Sequence, residues 1–100
     1  MSEIHMSMDE QWIPLIEKGF KTATTRIKRK GDVGDTFILN GKRYVLTRVL
    51  PLPMGDATER FFGYEGFDSE TAFKTALPSY YPDLDDDSEV YIHFFRGVGE

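Results

Sequence analysis

The stretch that most constrains the fold lies near the end of the chain, where Val90, Ile92 and Phe94 alternate with Tyr91, His93 and Phe95. Side chains alternate across a strand, so both faces of this one are large and mostly apolar, and a strand with two apolar faces belongs in the middle of a sheet or barrel. The rest of the chain must then supply strands on either side of it and cover for both faces. A chain of 100 residues has room for one compact domain spanning residues 1–100, in which roughly 60 to 70% of the unfolded surface becomes buried.

The neighbours are readable in order. Asn40-Gly41 sits between Thr36–Leu39 and Arg43–Leu50, and Asn-Gly between apolar runs marks a two-residue hairpin because both residues tolerate positive φ. Pro51-Leu52-Pro53 is expected to end the second strand, since proline adds no donor to a ladder. Ile4, Met6 and Met8 alternate with His5 and Ser7, which predicts a first strand over residues 3–8. A further strand is expected from Thr22 to Lys28, followed by a turn over Gly31–Asp35. Trp12, Ile13, Leu15 and Ile16 recur at helical spacing behind a Ser7 or Asp9 cap and stop at Gly19; Pro14 puts the regular start near Gln11 or a kink there. Asp56 with Glu59 predicts a short helix through Phe62. Asp68 or Ser69 predicts another, carrying Ala72, Phe73, Ala76 and Leu77 on one face until Pro78. Residues 79–87 read as a surface loop. The whole is an α+β domain: five strands in a closed or nearly closed barrel with short flanking helices.

Several function classes fall away on composition. There is no cysteine, which removes disulfides, thiolate nucleophiles and Cys-type zinc sites and suits a reducing compartment; cytoplasm is the expectation. The N-terminus has no basic and apolar leader pattern and no apolar run is long enough to span a bilayer, so neither export nor a membrane partner is expected. The net charge of -5 argues against a polyanion partner overall. Its distribution is uneven: residues 1–50 hold nine Lys or Arg against six Asp or Glu, and residues 51–100 hold three against eleven. Five of those nine basic residues lie between Lys21 and Lys30, a local basic patch or a solvated strand and loop. His5 and His93 have no ligand spacing, and the acidic run Asp83–Asp87 lacks the glycine and terminal glutamate spacing of an EF-hand. No metal or cofactor is expected.

Chemistry, if present, centres on Gly19–Arg26, reading GFKTATTR, where strand-forming residues carry a lysine, three threonines and an arginine. Taken alone, the threonines read as a good strand and Lys21 as a helix-end cation. Together with Gly34-Asp35, Glu65-Gly66-Phe67, Phe73 and a terminal strand ending in phenylalanine, the spacing G-x-K-T-x-T-x-R (Gly19, Lys21, Thr22, Thr24, Arg26) resembles the activating signal cointegrator homology (ASCH) domain over nearly the whole chain. That resemblance implies a five- to six-stranded barrel like the pseudouridine synthase and archaeosine transglycosylase (PUA) domain, with two or three short flanking helices and a role with RNA or modified nucleosides.

One branch of the family is made of single domains of this length that hydrolyse N4-acetylcytidine to cytidine and acetate. Carried over by motif, its catalytic lysine, threonine and glutamate fall on Lys21, Thr24 and Glu65. A threonine hydroxyl needs a base, and a desolvated lysine near another cation such as Arg26 can serve; alternatively ammonium Lys21 stabilises an oxyanion while Glu65 activates water. In a regular strand Lys21 and Thr24 point to opposite faces, so they meet only if Lys21 lies in the turn before the strand or reaches round it. Thr22 is a candidate substrate contact, Arg26 is a candidate substrate contact or a structural partner for a carboxylate or carbonyls, and Tyr64, Phe67, Tyr80 and Tyr81 can stack a base or pack core and rim. The expected partner is therefore a modified cytosine nucleoside or RNA, not DNA. The alternative is a non-catalytic RNA-binding ASCH module using the same cleft and the basic strip Arg26 to Lys30.

Overall fold

The computed structural model describes residues 2–6, 8, 10–67, 69, 71–73, 75, 85 and 87–98. Its elements run as a 3-10 turn Glu10–Trp12, helix α1 Ile13–Glu17, strands β1 Ala23–Arg26, β2 Thr36–Leu39 and β3 Lys42–Pro53, helix α2 Met54–Phe61 and strand β4 Glu89–Gly97. The strands form one antiparallel sheet in the order β1-β4-β3-β2, curled into a half-barrel. β4 is interior, as its two apolar faces require. Val90, Ile92 and half-buried Phe94 join Ala23, Leu52, Met54, Ala57 and Phe73 on one face. Phe95 joins Phe37, Leu39, Tyr44, Leu46, Met6 and Ile16 on the other.

β3 serves both clusters through a break in its alternation. Tyr44 and Leu46 lie with the Phe95 cluster and Val49 packs beside them, whereas Leu52 lies with the Val90 cluster. A register shift between Leu46 and Arg48 supplies the extra residue, and one extra residue exchanges the two faces of everything beyond it. The Asn40-Gly41 turn forms as expected, with φ of 51° and 79° and Leu39 paired to Lys42.

Three expectations change. The strand predicted over residues 3–8 is an isolated parallel bridge between Glu3 and Thr36, with Ile4 N–H donating to Thr36 O at 2.7 Å and Thr36 N–H to Ser2 O at 2.8 Å. Ile4, Met6 and Met8 still point into the core, because alternation dictates which side chains go inward and not whether a ladder forms. The segment runs from the free edge of β2 to β1, where the Met8 sulfur meets the Thr24 hydroxyl at 3.8 Å, so the gap in the sheet is spanned by chain and not by a fifth strand. Second, β3 continues through Pro51 and Pro53, paired to Tyr91 and Glu89. Among the described residues β2 pairs with Lys42–Val45 and no further strand borders that side of β3 beyond it, so a missing N–H there is harmless.

Third, the helices start elsewhere than their caps suggest. α2 begins at Met54 with Pro53 as its cap and Asp56 within its first turn, where a carboxylate favours the helix dipole. Pro14 sits at the start of α1 behind a 3-10 turn, a position whose N–H needs no partner. Ser69 does cap, accepting the Ala72 N–H at 3.1 Å, ahead of helical residues 71–73 and 75. The expectations for Ser7, Asp9, Asp68, Ala76 to Tyr81 and most of the acidic loop lie outside the described residues. Among the described residues no helix is long and apolar enough to cross a membrane.

Candidate active site

Lys21 lies in the turn between α1 and β1, where its backbone N–H, like that of Phe20, closes onto Leu15 O. Thr22 and Ala23 then both donate to Tyr64 O, at 2.7 and 3.0 Å, which fixes the 62–67 turn against the start of β1. Glu65 occupies that turn, and Gly66 after it adopts φ +89°. That φ is what calls for glycine; an added Cβ would sit in ordinary contact, 3.4 Å from both Lys21 Cβ and Leu15 Cδ1.

This geometry brings two of the candidate residues together. The Lys21 amine donates to Glu65 Oε1 at 2.7 Å and to Glu65 O at 3.0 Å, with both residues only 3% exposed. The amine also lies 5.1 Å from the centre of the Trp12 ring, within the range of a cation–π contact. Trp12 is braced edge-on by Phe67 at 5.0 Å, and Phe67 stacks on Phe73 at 5.0 Å. Burial lowers the Lys21 pKa below the ordinary lysine value; the neighbouring Glu65 carboxylate works against that shift and the Arg26 guanidinium adds to it.

The hydroxyl that reaches Glu65 is Thr25's, which donates to Oε2; both carboxylate oxygens are thus engaged. Thr24 points the other way, its Oγ accepting from Arg26 Nη1 and donating to the Met8 sulfur. Arg26 is half-buried and also donates to Thr25 O at 2.9 Å and to the Met8 sulfur at 3.7 Å. Thr24 and Thr25 are adjacent, so they occupy opposite faces of β1. Period-2 reasoning could separate the two faces but not say which one Glu65 approaches.

The remaining candidates divide between two places. Phe67 belongs to the aromatic cover of Lys21. Thr22 and Tyr64 instead line a groove of about 440 Å³ on the outside, with Phe20, Arg60 and Phe62. Tyr64 is 50% exposed and rests against Phe61 and Phe94. Lys28, Arg29 and Lys30 are exposed, and Arg29 is paired with Asp32 at 2.9 Å.

Sequence reasoning gave His93 no structural role, yet it is fully buried. It lies beside Thr24 in the β1–β4 register. Its Nδ1 donates to Thr24 O at 3.3 Å and its Nε2 accepts the Lys30 N–H at 3.0 Å, a pairing that requires the neutral ring. Burial drives its pKa down to about 4, with Arg26 and Arg29 contributing, against the bonds to Thr24 and Tyr91. Asp35, from the Gly-Asp pair, is structural: it accepts the N–H groups of Ser2 and Asp32 at 2.9 and 2.8 Å. Those bonds hold its carboxyl below the usual range.

No family model and no curated protein matches the chain. Solved structures do. An ASCH domain from Lactobacillus crispatus superposes with a TM-score of 0.76 at 13% identity, covering 96% of this chain and 77% of that one. The hypothetical protein PH0355 gives 0.78 at 16% identity over 98% of this chain and all of its own, 100%. Protein EF3133 from Enterococcus faecalis gives 0.63 at 22% identity over 97% and 78%. These superpositions show that the chain has the fold of an ASCH domain.

Proposed function

We propose that the protein is an amidohydrolase that removes the acyl group from N4-acylated cytosine nucleosides, with Lys21 and Glu65 as its proton-handling pair and a β1 threonine hydroxyl as nucleophile. The resemblance designates Thr24 for that hydroxyl. The observation that carries the reading is the buried Lys21–Glu65 pair, closed from residues 44 positions apart. An amine of lowered basicity held against a carboxylate takes up and returns a proton more readily than an ordinary lysine. Glu65 is also the side-chain type that accepts a hydrogen bond from a cytosine N4 amine. A free nucleoside suits an acidic chain, since it needs a small site and no long electrostatic track. Substrate entry requires the Trp12–Phe67 cover to part.

The test is acetate release from N4-acetylcytidine. Turnover is expected in the native protein, with a loss of about 10² to 10⁴-fold in Lys21→Met and Glu65→Gln variants shown by circular dichroism to be folded. A second reading, an RNA-binding module without chemistry, is favoured by exposed Lys28, Arg29 and Lys30. Absence of turnover together with salt-dependent retention of RNA would select it.

A further inference from the structure

Within the hydrolase reading, on which this inference rests, we propose that the nucleophile is Thr25 and that Thr24 positions Arg26. The motif carried over from the family points to Thr24, but the two hydroxyls have different surroundings. A threonine hydroxyl attacks a carbonyl only if a base removes its proton, and the mark of such a nucleophile is a base within hydrogen-bond reach that is itself oriented by a third group. Thr25 has that arrangement: its hydroxyl donates to Glu65 Oε2, and Lys21 holds Oε1 of the same carboxylate at 2.7 Å. Thr24 lacks it. Its hydroxyl accepts from Arg26 and points its proton at the Met8 thioether, 3.8 Å away, which is too weakly basic to take it.

The Thr25 proton passes to Glu65 as Oγ bonds to the acyl carbon, giving a tetrahedral oxyanion. Collapse breaks the bond to N4, and the departing cytosine amine takes a proton from the Lys21 ammonium; the protonated Glu65 then returns its proton to Lys21. The products of this half-reaction are the nucleoside and an acyl ester on Thr25. Water attacks the ester with Glu65 accepting its proton, which returns to Thr25 Oγ as the carboxylic acid leaves.

The experiment compares the native protein with Thr25→Val, Thr25→Ser and Thr24→Val on N4-acetylcytidine, and quenches each in acid to locate the acetyl group by peptide fragmentation. Valine keeps the shape of threonine, and serine keeps the hydroxyl. Expected is a fall in kcat of at least about 10²-fold in Thr25→Val, partial activity in Thr25→Ser, measurable turnover in Thr24→Val, and an acetyl group on Thr25 of the quenched native protein. Acetyl found on Thr24, or undiminished turnover by Thr25→Val, overturns the assignment while leaving the hydrolase reading intact. No turnover by the native protein overturns both. If Thr25→Val does not fold, the acetyl position in the native protein alone decides.

Discussion

Lys21 and Glu65 place two opposite charges where water does not reach. Removing one of them strands the other, which in buried pairs costs about 3 to 5 kcal/mol, whereas exchanging both for apolar residues of similar size is close to neutral. Urea unfolding is therefore expected to show Lys21→Met strongly destabilised and Lys21→Met/Glu65→Leu largely restored, with turnover by both still reduced about 10²-fold or more. His93 gives a second residue-scale expectation. Unfolded, it protonates near 6.5; folded, only near 4. Between those values the unfolded chain binds the extra proton, so His93 leaves stability untouched above about pH 6.5. As the pH falls towards 4 it removes about 3 kcal/mol. A histidine proton titration should find the folded ring neutral at pH 5, and the acid limb of the stability profile should flatten in His93→Gln.

At the scale of elements, the 62–67 turn and the bulge in β3 decide where side chains go. Gly66→Ala introduces a Cβ at φ +89°, against Lys21, so it should lower stability by about 1 kcal/mol or more and also reduce turnover, read from a melt and an assay on the same sample. The elements were unequally legible in the sequence. Asn40-Gly41 and the double-faced terminal strand were readable because each reports a local backbone demand. The bulge after Leu46 was not, since an extra residue in KRYVLTRVL leaves no mark in composition. The site was legible only through the family spacing. No periodicity links Lys21 to Glu65, and the role of Thr25 depends on which face of β1 the 62–67 turn crosses, a matter of tertiary placement. His93 passed for an ordinary position of a central strand because its partners, Thr24 O and the Lys30 N–H, are backbone groups that no side-chain pattern announces.

For the whole molecule, the sheet is closed by the N-terminal segment, and its far side is covered by α2 with Phe62, Phe67 and Phe73. The chain has one tryptophan, and it lies over the Lys21 amine. Intrinsic fluorescence therefore reports on the site: a nucleoside that parts the Trp12–Phe67 cover should change its intensity or wavelength saturably, and Lys21→Met should alter the starting spectrum. Among the described residues, the outer edge of β2 is bonded by Ser2 to Ile4, and Val33 and Ile38 are 62% and 47% exposed. Shorten the chain by its first eight residues and a bare, sticky margin is left, one that a second molecule can complete. Size-exclusion chromatography of such a truncation should show concentration-dependent self-association, so the leading residues double as a guard against aggregation.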